Sequence, residues 1–308
     1  MTFVRPDYAR LCWDAIKKSQ PKVLYFYSNK GRAEKEGEIE RNNEIRSFIK
    51  EIDWDCDLHT WFREEYVDLY TSLLGAKNWA FENEKRVIML EEDCLASPAF
   101  FEFCDYYLDL YENDKQIGFI TGNNYTNGFD AQGADHFITR STHHYGWATW
   151  KDRWDLIDFT MSPRVIIKGG FINNYFKDDK WLAFYYNSVF RKVTSFVERT
   201  QCWDYLKVMS QFKYQTYAVT PIYNLIQNVG REGTHTHLGS GNIYDLGNGE
   251  EKGHYLFLGN KNEITPNSEY DYAESKAEGI RKLSTMLIIW CGILFPKTYE
   301  RLKKMFKR

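Results

Sequence analysis

The chain has no cysteines in CxxC spacing; its six, Cys12, Cys56, Cys94, Cys104, Cys202 and Cys291, are scattered. That pattern indicates neither a zinc knuckle nor a disulfide framework, and free thiols in a reducing cytoplasm are expected. Net charge is also scarce. Forty Lys and Arg face 43 Asp and Glu, a formal charge of -3, so no global basic field points to nucleic acid. No apolar run reaches the length of a membrane span. The first residues do not read as a signal peptide, because Arg5, Asp7 and Arg10 interrupt them. Residues 1–35 lack a Gly-rich phosphate loop, and there is no internal repeat or low-complexity tract. What the chain does have is aromatic side chains, 17% of 308 residues. That length can bury a large core, as one big domain or two smaller ones.

Strand and helix signals alternate through the first half. "KVLYFYS" (Lys22 to Ser28) reads as a buried strand, followed by a helix with Ile45, Phe48, Ile49 and Ile52 on one face. "DCDLHTW" alternates with period two. Glu65 to Phe81 is predicted helical, with Tyr66, Leu69 and Leu73 on one side. "RVIML" is the next strand. Ser97-Pro98 then opens a helix whose stripe is Phe100, Phe101, Cys104, Tyr107 and Leu108. "IGFIT" (Ile117 to Thr121) is a further strand. This order predicts an α/β domain with a largely parallel sheet. After about residue 125 the pattern loosens, and residues 228–272 read as loops.

One junction stands out. The apolar run Val87 to Leu90 passes directly into Glu91, Glu92 and Asp93. In open α/β sheets ligands bind at the carboxyl ends of strands. Three adjacent carboxylates repel one another, and a hard divalent cation, Mg²⁺ or Mn²⁺ shared with substrate phosphates, would offset that cost. A solvated acidic turn ahead of a helix is the plainer alternative.

The stretch "VIMLEEDCLASPAFFEFCDYYLDLYENDKQIGFITGNN" resembles the metal-binding region of GT-A glycosyltransferases, in particular the N-acetylglucosaminyltransferase I type and its bacterial relatives. The similarity extends to "RPDYARLCWDAIKKSQPKVLYFYSNKGR", "IDWDCDLHTWFREE", "YGWATWKDRWD" and "CWDYLKVMSQ", and so covers most of residues 3–237. It implies a GT-A, Rossmann-like α/β fold over residues 1–283, with a mostly parallel central sheet and helices on both faces. The nucleotide-sugar half would run over 1–125 and the acceptor half over 126–283, with 284–308 as a tail. It further implies an inverting, metal-dependent glycosyltransferase using Mn²⁺ or Mg²⁺. The donor would be a nucleotide-sugar, UDP-linked, and the acceptor a glycan or lipid-linked hydroxyl, as in bacterial polysaccharide biosynthesis.

The resemblance also assigns roles. Asp93 would be the metal ligand between protein and diphosphate, with Glu91 and Glu92 supporting the ribose and the metal shell. The family usually has Asp where Glu92 stands. Arg5 matches an arginine near the nucleotide, and Arg63, in "WFREE", is assigned to the same ligand. Asn29 stands where an Asp touching the base is common. Asp204, in "CWDY", matches the general base that takes the acceptor proton; alternatively it caps a helix over Tyr205 to Phe212. Trp147 offers a face to a sugar ring, or else belongs, like Trp150, to a helix core. His235 stands near where the family has a His by the donor diphosphate. Asn123 and Asn124 could bind sugar hydroxyls or make a turn.

The end of the chain reads differently. Leu287 to Phe295 is apolar, and Lys297, Arg301, Lys303, Lys304, Lys307 and Arg308 follow. The tail is expected either to lie on an anionic membrane surface, giving a cytoplasmic protein peripheral to the inner face of the membrane, or to pack as an ordinary helix. Two other functions stay open: a non-catalytic glycan-binding protein on a degenerate GT-A fold, and a sugar nucleotidyltransferase.

Overall fold

Helix α1 (Pro6–Ser19) opens with proline at a position where no backbone donor is needed. Ala9, Cys12 and Trp13 share its buried face. Trp13 stands edge-on to Phe26, centroids 5.6 Å apart. Phe26 lies in β1 (Val23–Ser28), which pairs in parallel with β2 (Asp57–Phe62). The crossover between them carries α2 (Glu38–Ser47), the kind of connection a parallel pair requires. Ile45 and Phe48 close this core against Ala9 and Trp13. The computed structural model describes residues 1–126, 129–200, 202–230, 254–259 and 261–296, without the side chains of 195–200.

Helix α3 (Leu69–Asn83) starts later than its sequence suggests, because Asp68 caps it by accepting from the Thr71 N–H at 3.0 Å. Tyr66 and Leu69, expected on the inner face, are exposed, and Leu73, Ala76, Lys77, Ala80 and Phe81 are the buried ones. Next come β3 (Arg86–Met89), β4 (Cys94–Ala96), α4 (Pro98–Leu110), β5 (Ile117–Thr121), β6 (His136–Thr139), β7 (Trp147–Trp150) and α5 (Lys151–Trp154). Strands β8 (Tyr217–Pro221) and β9 (Ile226–Asn228) follow much later in the chain.

The result is α/β, but the central sheet is mixed. Its order is β3-β7-β5-β8-β6, and only β5 and β8 pair in parallel. The pairs β3–β7, β7–β5 and β8–β6 are antiparallel. The mostly parallel sheet expected from the sequence fails because β7 doubles back between β3 and β5. Gly146 makes that return possible: its φ is +65°, and a Cβ there would strike Ile226. Strands β3, β5 and β8 therefore run one way, and their carboxyl ends share an edge. Helix α4 buries Phe100, Phe103, Cys104, Tyr107 and Leu108. At roughly 1.5–3 kcal/mol per large side chain, this face is a major source of stability.

Trp147 and Trp150 lie in a strand, not a helix. An odd spacing on a strand sends the indoles to opposite faces. Trp150 Nε1 donates to Leu108 O at 3.1 Å, while Trp147 stacks on Trp154 at 6.0 Å. Trp147 is 1% exposed, so the expectation that it forms a wall for a sugar ring is corrected: a buried indole has no free face.

The chain forms two compact units, residues 1–154 with 217–267, and 155–216 with 268–308. The division does not fall near 125 or 283, because β7 and β8 are needed to complete the sheet. Among its described residues the second unit is helical: α6 (Pro163–Lys168), α7 (Phe171–Tyr175), α8 (Lys180–Thr200), α9 (Trp203–Tyr214), α10 (Ser268–Ala277) and α11 (Leu283–Leu294). Tyr175, Phe176, Phe190, Met209 and Phe212 are in its core. Helix α10 begins inside the stretch that read as loops. Helix α11 packs through Met286 and Ile289, and Trp290 stacks on Phe184 at 6.1 Å. Among the described residues, no helix is long and apolar enough to cross a membrane.

Candidate functional site

The acid run leaves β3 at the edge where β5 and β8 also end. A turn follows, closed by the Cys94 N–H donating to Glu91 O at 3.0 Å. Each of the three acids meets a protein cation. Arg5 Nε lies 2.6 Å from Glu92 Oε1, and Arg5 Nη2 lies 3.0 Å from Asp93 Oδ2. The Phe3 N–H also donates to Glu92, at 2.5 Å. Lys77 Nζ, from the buried face of α3, stands 3.9 Å from Glu91 Oε1. The charge repulsion that seemed to demand a metal is thus already reduced by Arg5 and Lys77.

The pair differs in exposure. Glu92 is buried, its side chain 5% exposed, while Arg5 is 31% exposed. Burial pushes the Glu92 carboxyl up, opposed by Arg5 and the Phe3 N–H. Burial also works against the charge on Arg5, but Glu92 and Asp93 outweigh it and hold the guanidinium protonated. Glu92 therefore acts as an internal anchor for Arg5 and the Phe3 backbone, not as an open ligand.

Asp93 retains access, its side chain 14% exposed. The segment after β9 lies against it: the Val229 N–H donates to Asp93 O at 2.9 Å, and a Cβ at Gly230 would collide with Asp93 Oδ2. Among the described residues there is no group of three or more His, Cys, Asp or Glu able to hold a metal ion. The donor set therefore does not fit an all-protein cage. It does fit a hard cation held through one carboxylate and shared with substrate phosphates, the usual magnesium arrangement.

A second set of residues lies at the ends of β1 and β2. Asn29 is 4% exposed, and its amide is committed to the backbone. Its Nδ2 donates to Val67 O at 2.9 Å, and its Oδ1 accepts from Lys30 N at 3.0 Å and Val67 N at 3.3 Å. The expectation that Asn29 touches a base is corrected: it staples two loops together. Arg63 donates from Nε to Tyr27 Oη at 2.6 Å and lies 4.6 Å from the Trp61 ring centroid. It has no carboxylate partner among the described residues, so its charge remains available. Arg46 donates to the carbonyls of Ser28, Asn29 and Arg63 and holds this edge in shape.

At the end of β5, Asn124 is fully used. Its Nδ2 donates to Pro221 O at 2.7 Å, its Oδ1 accepts from Thr126, and its backbone N–H donates to Asn224 Oδ1 at 3.1 Å. Asn123 is 1% exposed and its Oδ1 has no partner among the described residues. An unsatisfied buried acceptor costs about 1–3 kcal/mol, which makes it a candidate for a ligand donor.

Asp204 lies in the second unit. It is not the N-cap of α9, which is Cys202, but the second residue of the helix. Its Oδ1 accepts from Tyr205 N at 3.0 Å and from the Cys202 thiol at 2.8 Å. Its Oδ2 has no protein partner among the described residues. Burial, then Asp204, pushes the Cys202 thiol up, so it stays a donor. His235 lies outside the described residues.

Sequence reasoning missed Lys77, Asn42 and Arg46. Lys77 had a signal: a lysine among Leu73, Ala76, Ala80 and Phe81 on one helix face needs a buried partner. Asn42 and Arg46, four apart on α2, share a face; Asn42 Nδ2 reaches Phe3 O at 2.7 Å. Compared with known proteins, the chain matches no family model and no curated protein at a significant level.

Proposed function

We propose that the chain is an inverting, metal-dependent glycosyltransferase of GT-A, Rossmann-like type, moving a sugar from a nucleotide-sugar to a glycan or lipid-linked hydroxyl. The observation that carries this reading is the acid turn Glu91–Asp93 at the end of β3, on the edge where β5 and β8 also end. Asp93 would hold Mn²⁺ or Mg²⁺ with the donor diphosphate, and the metal would neutralise charge on the departing diphosphate. Arg5, fixed by Glu92, adds a positive charge beside that carboxylate. Arg63 supplies another for the nucleotide. Glu91, 31% exposed, is left for the ribose. The resemblance of "CWDY" supports giving Asp204, within the second unit, the role of general base: its Oδ2 would take the acceptor hydroxyl proton as that oxygen bonds to the anomeric carbon and the bond to diphosphate breaks.

The test is turnover of UDP-sugars with Mn²⁺, in the parent and in Asp93→Asn. Loss of turnover with unchanged thermal unfolding is expected. Full activity in Asp93→Asn would sink the metal assignment. A second reading, a non-catalytic binder of nucleotide-sugars or glycans, is favoured by Arg5 already engaging Asp93. Binding of UDP-sugars without turnover in any metal would select it.

A further inference from the structure

Helices α7, α8 and α11 of the second unit enclose a groove of about 590 Å³. Lys180, Phe184, Asn187 and Arg191 line it from one face of α8, at three- and four-residue spacing. Trp290 of α11 stacks on Phe184 and forms a second wall. Lys177, just after α7, completes the rim. The lining holds three cations and no acid. Lys177, Lys180 and Arg191 are exposed, and none has an ion-pair partner among the described residues.

The outer face of α11 is apolar and open. Leu283 is 72% exposed, Leu287 66% and Ile288 54%. No charged residue occurs from Leu283 to Phe295. Exposed contiguous apolar surface marks an interaction site. Cations beside an apolar helix face are the signature of a segment lying in a membrane interface.

We propose that this face docks on an anionic lipid surface: Lys177, Lys180 and Arg191 take a phosphate-bearing headgroup in the groove, and the outer face of α11 enters the acyl boundary. Charge complementarity selects this occupant. Over residues 155–216 and 268–296 the charges nearly balance, 12 Lys and Arg against 10 Asp and Glu, yet the groove lining carries three cations and no acid. Self-pairing of this face would bring two cationic rims together. The inference is independent of the transferase reading.

The test is co-sedimentation of the full chain with vesicles of phosphatidylglycerol and phosphatidylcholine, against phosphatidylcholine alone. Binding to the anionic vesicles at low salt is expected. Each cation near the surface is worth roughly fivefold in partitioning, so Lys177→Glu/Lys180→Glu/Arg191→Glu should weaken binding by roughly a hundredfold or more. Leu287→Gln/Ile288→Gln should remove the part that survives high salt, since screening leaves apolar insertion intact. All five positions are exposed, and unchanged thermal unfolding confirms the fold. Binding equal to the parent in the charge-reversed variant would overturn the proposal and move the contact to the basic residues at 297–308. Equal binding to neutral vesicles, or none to anionic ones, would also overturn it. So would a dimer that Leu287→Gln/Ile288→Gln dissolves without any vesicle binding.

Discussion

The acid turn of the first unit and the groove rim of the second handle charge in opposite ways. The first unit has 22 Lys and Arg against 32 Asp and Glu, yet at its acid turn the carboxylates are paired inward, with Arg5 and Lys77. The second unit leaves Lys177, Lys180 and Arg191 at a groove rim without a carboxylate partner among the described residues. Paired, buried charge fixes geometry, as a small-ligand site requires. Unpaired, exposed charge gains little from the fold and is available to an outside surface.

The largest effect should come from the one carboxylate of the second unit assigned to chemistry. Asp204→Asn keeps an acceptor for Tyr205 N–H but loses basicity. Transfer should fall by roughly 10²–10⁴-fold with donor binding retained. If donor affinity alone falls, Asp204 is a helix-terminal brace and the catalytic contrast between the units collapses.

Next is the anchor of the first unit. Arg5→Met leaves Glu92 buried without its counter-charge, a loss of about 3–5 kcal/mol for buried pairs, here at the lower edge because Arg5 is part-exposed. Adding Glu92→Gln should recover most of it. Lys180→Ala should stay within about 0.5 kcal/mol, as exposed substitutions do. Urea midpoints measure all three, and equal shifts for Arg5→Met and Lys180→Ala would erase the contrast.

A smaller change probes the loop staple. Asn29→Asp removes the donor that faces Val67 O and sets a carboxylate against a carbonyl. The cost should be about 1–3 kcal/mol at pH 7. It should shrink toward pH 4, where a protonated Asp can donate again. An unchanged midpoint at pH 7 would show that Val67 is held by other means.

These residues also show what the sequence could reveal. The strand–helix alternation up to Thr121 was legible because each segment carries its own periodicity, and α4 formed where its stripe predicted, with Phe103 in place of Phe101 on the buried face. The direction of β7 was not legible, since antiparallel return depends on Gly146 and Ile226, which are far apart in the chain. The acids were visible as a run, but their partners were not. Glu92 meets Arg5 across 87 residues and Phe3 across 89, and nothing local announces such a pairing. Asn29 was misread for the same reason: its polar atoms turn to Val67, 38 residues away. Trp147 suggested a binding face by type alone, and burial removed it.

The smallest expected effect tests whether inward pairing in the first unit extends to its surface. Arg10 grips Glu51 with both Nη atoms, at 2.9 and 2.8 Å, and Lys17 adds a contact at 3.1 Å. Arg10 also lies 3.8 Å from the Phe48 ring centroid, which steadies it. The hydrogen bonds from Arg10, opposed by partial burial and joined by Lys17, hold the Glu51 carboxyl down at about 2, from an ordinary 4.5. A depressed folded value means that the stabilisation is fully present above pH 4.5 and lost as pH falls toward 2. Glu51 is one-third exposed, so water screens the pair and the gain is modest. Urea midpoints of the parent and Glu51→Gln should differ by a constant small amount at neutral pH. The two should converge between pH 4.5 and 2. The same series with Lys180→Gln should show no such convergence, because Lys180 has no carboxylate partner among the described residues to lose. A Glu51 difference that ignores pH would mean that Phe48 alone holds Arg10, and that inward pairing stops at the buried site.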